Sequence, residues 1–350
     1  MSTDLLKLTA YFGERSRGGR GFLADELLDL LGRAEVADSV VLRGIGGFGP
    51  SHQLRTDRTL STSEDLPVAL AAVDRAERIQ ALAEPVAAAL SRGVVTLERA
   101  STTVPAGTGS AKLTVYVGRQ TRIAGRPAYR EICALLHLLG FAGATTFLGV
   151  DGTEHGIRRR ARFFSTNTEV PVMILAVGDT AQVSAALPRL RELLPAAVTT
   201  VERIQVCKRD GRVIGRPAAL PATDARGVPL WQKLTIHTTE AQRADGAPIH
   251  RRVVDALRAG RASAGATVLR GIWGFHGDHE PHGDKLFQLG REVPVTTVVL
   301  DSPDRIAAHF DLIDELTGAH GLVTGELVPA MVSIDGGMRN GGLTLADPTR

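Results

Sequence analysis

The sequence predicts an α+β protein made of three tandem ferredoxin-like (βαββαβ) units packed as an intramolecular pseudo-trimer. A recurring triplet, a fixed order of landmarks after it, and a hydrophobic period that alternates between strand and helix predict this. Lys-Leu-Thr opens at Lys7, Lys112 and Lys233. A strand ending in glycine follows at 40–44, 145–149 and 267–271, and a Pro-Val-led strand opens at Pro67, Pro171 and Pro294. Each copy closes with a Val-rich strand ending on Glu98, Glu202 or Glu326. The four landmarks are offset by 105, 105, 104 and 104 residues between the first two copies, and by 121, 122, 123 and 124 between the last two. Self-similarity of that regularity marks tandem copies of one unit, each of domain size and longer than a solenoid repeat.

The copies occupy residues 1–100, 111–206 and 230–330. Segments 101–110 and 207–229 read as linkers rich in Gly and Pro, and 331–350 as a flexible Gly-rich tail. Leu6–Phe12 alternates as a strand, whereas Leu23, Leu27, Leu30 and Leu31 fall on one helical face, as do Ile132, Leu135, Leu136 and Leu139. Gly125 and Pro127, and Gly246 and Pro248, mark helix starts. A second helix is expected over 74–90, 179–193 and 302–317, capped by Asp74, Asp179 and Ser302, with kinks at Pro85 and Pro188. The resulting order in each copy is the split βαβ pattern. A four-stranded sheet with helices on one face needs cover on the other, which three copies could give one another.

Composition narrows the function classes. The chain has 350 residues, 43% hydrophobic and 23% charged, which describes a globular protein rather than a disordered one. No apolar run approaches the roughly 18 residues of a membrane span, so the chain is not expected to be membrane-spanning. Two cysteines, Cys133 and Cys207, cannot staple a chain this long, which suggests a reducing, cytoplasmic setting. A net charge of +3 argues against a general nucleic-acid binder.

The loop after each second strand is the most informative segment. It reads RGIGGFGPSHQLRTDRTL at 43–60, LGVDGTEHGIRRRARFF at 148–164 and RGIWGFHGDHEPHGDKLF at 270–287. Clustered glycines let backbone N–H groups approach a ligand and form an anion-binding nest, to which Arg43 or Arg270 could add charge. The competing reading is that the glycines only permit a sharp exit from the strand. The KLTxYxGE opening, the G-x-P before the first helix, GATVLRGIWGF (265–275), SEDLPVALAAVD (63–74) and the VTLE close together resemble the PII-like family of domain of unknown function 190 (UPF0166 type). That resemblance covers nearly the whole chain, three times over.

The resemblance implies a non-enzymatic signalling protein with an adenine nucleotide (AMP, ADP, ATP or cyclic AMP) in the clefts between copies. It also implies mobile loops read by a partner such as a membrane transporter or a fluoride-channel-like protein. Carried over by position, the ligand-binding residues are Arg43, Gly44, Gly47, Phe48 and Gly49 in the first copy and Arg270, Gly271, Gly274, Phe275 and Gly277 in the third. Arg99 and Arg203 stand at the end of the last strand. The second copy departs, with Val150-Asp151-Gly152 and no phenylalanine. The lysine-bearing turn before the last strand is reduced to Arg92-Gly93, Pro195-Ala196 and His320-Gly321.

Other constellations weigh less. His276, His279 and His282 at i, i+3, i+6 could ligate Zn or Ni and make the protein a metal sensor, against the plainer reading of a polar loop tip. A ligand-free scaffold for a transporter is the remaining alternative. Arg158, Arg159, Arg160 and Arg162 form a charge run that reads as a solvated loop face. Lys208 and Arg209 beside Cys207 could lower its thiol pKa. Glu14, Glu98, Glu202 and Glu326 lack an evident base or nucleophile partner, and no catalytic machinery is nominated.

Overall fold

The computed structural model describes residues 4–57, 65–107, 109–154, 156–159, 170–260, 265–277, 279–283 and 293–347. The first copy runs β1 (Asp4–Gly13), α1 (Leu23–Arg33), β2 (Asp38–Phe48), β3 (Pro67–Arg75), α2 (Ala76–Ala89) and β4 (Arg92–Ser101). The second runs β5 (Ser110–Gly118), α3 (Ala128–Leu138), β6 (Gly143–Leu148), β7 (Asp151–Glu154), β8 (Pro171–Asp179), α4 (Thr180–Leu193) and β9 (Val198–Arg209). The third runs β10 (Trp231–Thr239), α5 (Ile249–Ala259), β11 (Gly265–Arg270), β12 (Trp273–His276), β13 (Pro294–Asp301), α6 (Pro303–Thr317) and β14 (Leu322–Val328). It is followed by β15 (Ala330–Asp335) and β16 (Met338–Gly342).

The element order within each copy follows the sequence pattern, but the expected fold class does not hold. These are not three separate ferredoxin-like α+β domains docked as a pseudo-trimer. Strand accounts for 47% of the structure and helix for 24%, and the strands close into a nine-stranded antiparallel β-barrel. The closed circuit of ladders is β1–β3–β2–β11–β13–β10–β14–β9–β4 and back to β1. From β9 the sheet continues through β5, β8 and β6 to β12. The reason is that the second and last strands of each copy overrun its boundary and hydrogen-bond to the edge of a neighbour. Docked, separate sheets would have left those edges unpaired, a costly condition that closure removes.

Glycines make the crossings. An added Cβ on Gly47, Gly152 or Gly274 would lie 2.2 Å from the carbonyl oxygen of Ala266, Ser39 or Ala144 in the adjacent copy. The three positions are equivalent by register, Gly47 facing Thr267, Gly152 facing Val40 and Gly274 facing Thr145. The loop glycines thus serve chain crossing at this position, which is closer to the plainer sequence reading than to the nest.

The period-2 alternation of the opening strands sorts side chains between two environments. Leu6, Leu8, Ala10 and Phe12 pack with Leu23, Leu27, Leu31 and Ile79 of the helices. The alternate residues Lys7 and Thr9 are buried as well, on the face shared by all three copies. The second and third copies repeat the pattern with Leu113 and Val115, and with Leu234 and Ile236. Asp179 caps α4 with a reciprocal bond to Gln182, whereas α2 begins after Arg75 and Ser302 makes no side-chain cap. Pro85 and Pro188 lie inside continuous helices.

The segment after residue 331 is not a free tail. β15 pairs with β4, Val332 facing Val95 and Asp335 facing Arg92, and β16 folds back on it. The second linker likewise begins inside β9, where Cys207 is fully buried. Alanine at Gly47, Gly152 or Gly274 is expected to cost about 1–3 kcal/mol through forced backbone shifts. Alanine at Gly46, whose added Cβ meets only the Arg55 oxygen at 3.8 Å, should stay within about 0.5 kcal/mol. Denaturant unfolding of the four variants tests the contrast.

Candidate functional site

Six charged side chains meet where the copies converge. Lys7, Lys112 and Lys233 are 8%, 2% and 4% exposed, and Glu98, Glu202 and Glu326 are 2%, 4% and 5% exposed. Within a copy each lysine faces its glutamate directly across the ladder: Lys7 and Glu98, Lys112 and Glu202, Lys233 and Glu326. Each lysine also reaches a glutamate of another copy. Lys7 lies 2.8 Å from Glu202, Lys112 donates to Glu326, and Lys233 donates to Glu98. The result is a closed ring of alternating charge with no net excess.

Burial by itself would raise Glu98 and Glu326, but the lysines outweigh it. Lys233, Lys7 and Lys112 hold Glu98 well below the ordinary carboxylate range, and Lys112 and Lys233 bring Glu326 to about 2. Burial would lower Lys7, yet Glu202, Glu98 and Glu326 raise it well above its usual value, and Lys233 is raised similarly. Lys112 is the exception, since burial, with Lys233 and Lys7 adding to it, outweighs Glu202 and Glu326 and lowers it. The three glutamates offer oxygens within 4.8 Å of one another. Three ammonium groups already neutralise them, so the ring serves as a lock rather than a metal centre.

Of the predicted site residues, Phe48 and Gly49 line one cleft between copies and Phe275 and His276 another, and the two clefts differ. The cleft between first and third copies, about 490 Å³, is lined by Phe48 and Gly49 at the loop base, Arg55, Arg92 and Gly93, and Thr267 across the way. Arg55 pairs with Asp65 at 3.0 Å and Arg92 with Asp335 at 2.7 Å. Burial lowers the Arg55 guanidinium, Asp65 opposes this, and the like charge of Arg92 adds to it. The cleft between third and second copies, about 380 Å³, holds Phe275, His276, His237 and Thr238 and has no arginine in its lining. Burial pushes His237 down to about 4. Between second and first copies Thr153 takes the phenylalanine position and bonds Ser39 at 2.8 Å, while Glu154 faces Asp38. Burial, followed by Glu154 and Asp74, raises Asp38 to about 8.

Several predicted ligand residues have structural partners instead. Arg43 pairs with Glu14 at 2.9 Å, and Arg270 pairs with Glu240, the same two motif positions in two copies. Arg99 donates to the Ala346 carbonyl and to Asp347, and Arg203 to the Ala106 carbonyl. Phe48 sits in the core of the third copy and Phe275 in that of the second, as plugs across the boundary. Gly44 and Gly271 approach Val268 and Thr146 of the neighbouring strands, and the Gly277 N–H donates to Ala142. The rings of His276 and His279 lie 4.8 Å apart, while Nδ1 of His282 is 2.9 Å from the Glu280 carbonyl. Among the described residues the three histidines do not gather their nitrogens at one point. Arg158 is clasped by Asp151 and Asp25 rather than solvated, and Arg160 and Arg162 lie outside the described residues. Burial raises Cys207 to about 11 and Cys133 to about 12, contrary to an activated thiol.

Sequence reasoning missed the ring, although its six members were the repeat landmarks themselves, and it missed Arg55. The signal was available: a lysine and a glutamate recurring at the two ends of every copy.

These features place the chain in a class of repeat proteins with one shared polar centre and three unlike boundaries between copies. The model of the DUF190 family, described as an uncharacterized ACR, matches residues 5–102, 110–206 and 231–330, and the chain belongs to that family. A UPF0166 protein of Aquifex aeolicus (strain VF5) is 33% identical over 92 residues, which is 26% of this chain and 84% of the relative. Among solved structures, an unknown protein from Galdieria sulphuraria is similar at 14% identity and TM-score 0.19, over 57% of this chain and 98% of that one. A putative glycine cleavage system transcriptional repressor matches at 11% identity and TM-score 0.19, over 65% and 98%. Among the described residues no helix is long and apolar enough to cross a membrane.

Replacing Glu98 by Gln leaves a buried ammonium uncompensated and is expected to cost about 3–5 kcal/mol, with part restored when Lys233→Met is added. The depressed carboxylates stabilise the fold above their unfolded pKa near 4.5. That stability should be lost as pH falls from there toward 2, the value for Glu326. Thermal unfolding between pH 6 and pH 2 checks the direction, and Glu326→Gln should flatten the profile.

Proposed function

We propose that the protein is a non-enzymatic regulator that takes an adenine nucleotide in the cleft between its first and third copies. The observation that carries this reading is the convergence of Arg55 and Arg92 at the base of the loop that starts at Gly49. Among the described residues Arg55 is held by Asp65 and Arg92 by Asp335, and the mutual repulsion of the two guanidinium groups favours a polyanion placed between them. Gly49 keeps the loop base open, since an added Cβ there would meet nothing within 4 Å. The cleft between third and second copies is lined by imidazoles and the boundary between second and first carries facing carboxylates, so one ligand per chain is the stoichiometry this chemistry favours.

Binding would replace Asp65 on Arg55, tie the loop base to the turn at Arg92 and bias the loop between two states that a partner can read. A membrane transporter or fluoride-channel-like partner follows from the family resemblance alone, and nucleotide-dependent co-purification with membrane proteins tests it. Calorimetry with AMP, ADP, ATP and cyclic AMP should show one site per chain, weakened at least about tenfold by Arg55→Ala or Arg92→Ala. No binding of any of the four would end the nucleotide reading.

A further inference from the structure

One position in the boundary between copies is filled in three different ways. By register Asp151, Trp273 and Gly46 are equivalent, facing Val41, Thr146 and Val268 of the adjacent copy. The third residues of the first helices, Asp25, Arg130 and Arg251, are equivalent in the same way. Between second and first copies the slot is filled by ions, Arg158 lying 2.7 Å from Asp151 and also bonded to Asp25. Between third and second copies it is filled by an indole. Trp273 lies under the Arg130 guanidinium, 4.5 Å from its centroid, with Tyr129 at its edge.

Between first and third copies, among the described residues, no side chain takes this position. Gly46 stands where Trp273 stands, and a groove of about 610 Å³ opens there, lined by Ile45, Leu54, Val254 and Val268 with Arg251 and Asp255. The facing strand shows the same exchange. Gly283 faces Trp273 and could not carry a Cβ, which would lie 2.3 Å from the indole, whereas Thr56 faces Gly46. Space near Gly46 is real, since its added Cβ meets nothing closer than 3.8 Å.

We propose that this groove binds a planar heteroaromatic ring of indole or purine size, stacked on Arg251 as Trp273 stacks on Arg130. Ile45, Leu54, Val254 and Val268 supply the apolar burial and the Arg251 guanidinium the cation–π contact. The groove does not depend on the nucleotide reading, because an uncharged ring makes no use of the Arg55 and Arg92 charges.

Indole and adenine are the probes, titrated calorimetrically into the full chain. Saturable binding at one site per chain is expected. It should be abolished in the variant Gly46→Trp with Thr56→Gly, whose melting temperature should equal or exceed that of the parent because the groove is filled from within. Arg251→Ala should weaken binding about 3- to 30-fold. No binding of either probe up to its solubility limit, undiminished binding in the filled variant, or unchanged affinity in Arg251→Ala would each overturn the proposal. Should the filled variant fail to fold, the Arg251→Ala titration decides alone. Nucleotide titrations that fail while indole binds would remove only the anion reading.

Discussion

Six charges removed from water must compensate one another, and this requirement organises the whole molecule. Desolvation of an ammonium or carboxylate costs several kcal/mol even after relaxation, so each charge needs more than one partner. Lys7 finds Glu98 at 3.0 Å in its own copy and Glu202 at 2.8 Å in the next, and the other two lysines repeat the arrangement. No copy can withdraw without taking a partner from a charge in each of the others. The opening and closing strands of each copy are adjacent in the sheet for the same reason, since they carry the lysine and the glutamate at facing positions.

A lock of this kind demands close and fixed approach, which the glycine crossings supply. Because a Cβ added at Gly47, Gly152 or Gly274 would lie 2.2 Å from a neighbouring carbonyl oxygen, the strands have no room to slide. Register is therefore set twice, by charge at the centre and by sterics at the boundary. A strand outside the closed circuit adds to this: β15 extends the sheet from β4 and brings Asp335 to Arg92 at the rim of the arginine-lined cleft. The geometry of that cleft thus depends on residues at both ends of the chain.

The element order was legible because hydrophobic period and punctuation are local properties. Leu23, Leu27 and Leu31 are buried on one helical face, and Pro127 and Pro248 stand at helix starts, as their patterns imply. The barrel was not legible, because pairing between copies depends on which edges meet, and nothing in the local pattern of β2 says that it faces β11. The site was half legible. Phe48 and Gly49 do stand at a cleft, but Arg43 and Arg270 are spent on Glu14 and Glu240, a pairing visible only once strand and loop are folded together. Glu98 appeared partnerless for a related reason: its closest lysine is Lys233, 135 residues away.

Writing three copies into one chain also frees each boundary to change separately. Three identical subunits would be obliged to place the same residue at all three equivalent positions, whereas here one slot holds Asp151, another Trp273 and the third Gly46. Two of those solutions consume the space with a side chain and a guanidinium, which fastens the copies together. The third leaves it open beside Arg55, a residue that also lines the anion-favouring cleft. Divergence has therefore concentrated the open chemistry at the boundary between first and third copies, while the other two are closed by an ion triad and a stacked indole. The common centre holds three unlike boundaries in one frame, so a change at the open one can be transmitted without the others having to follow.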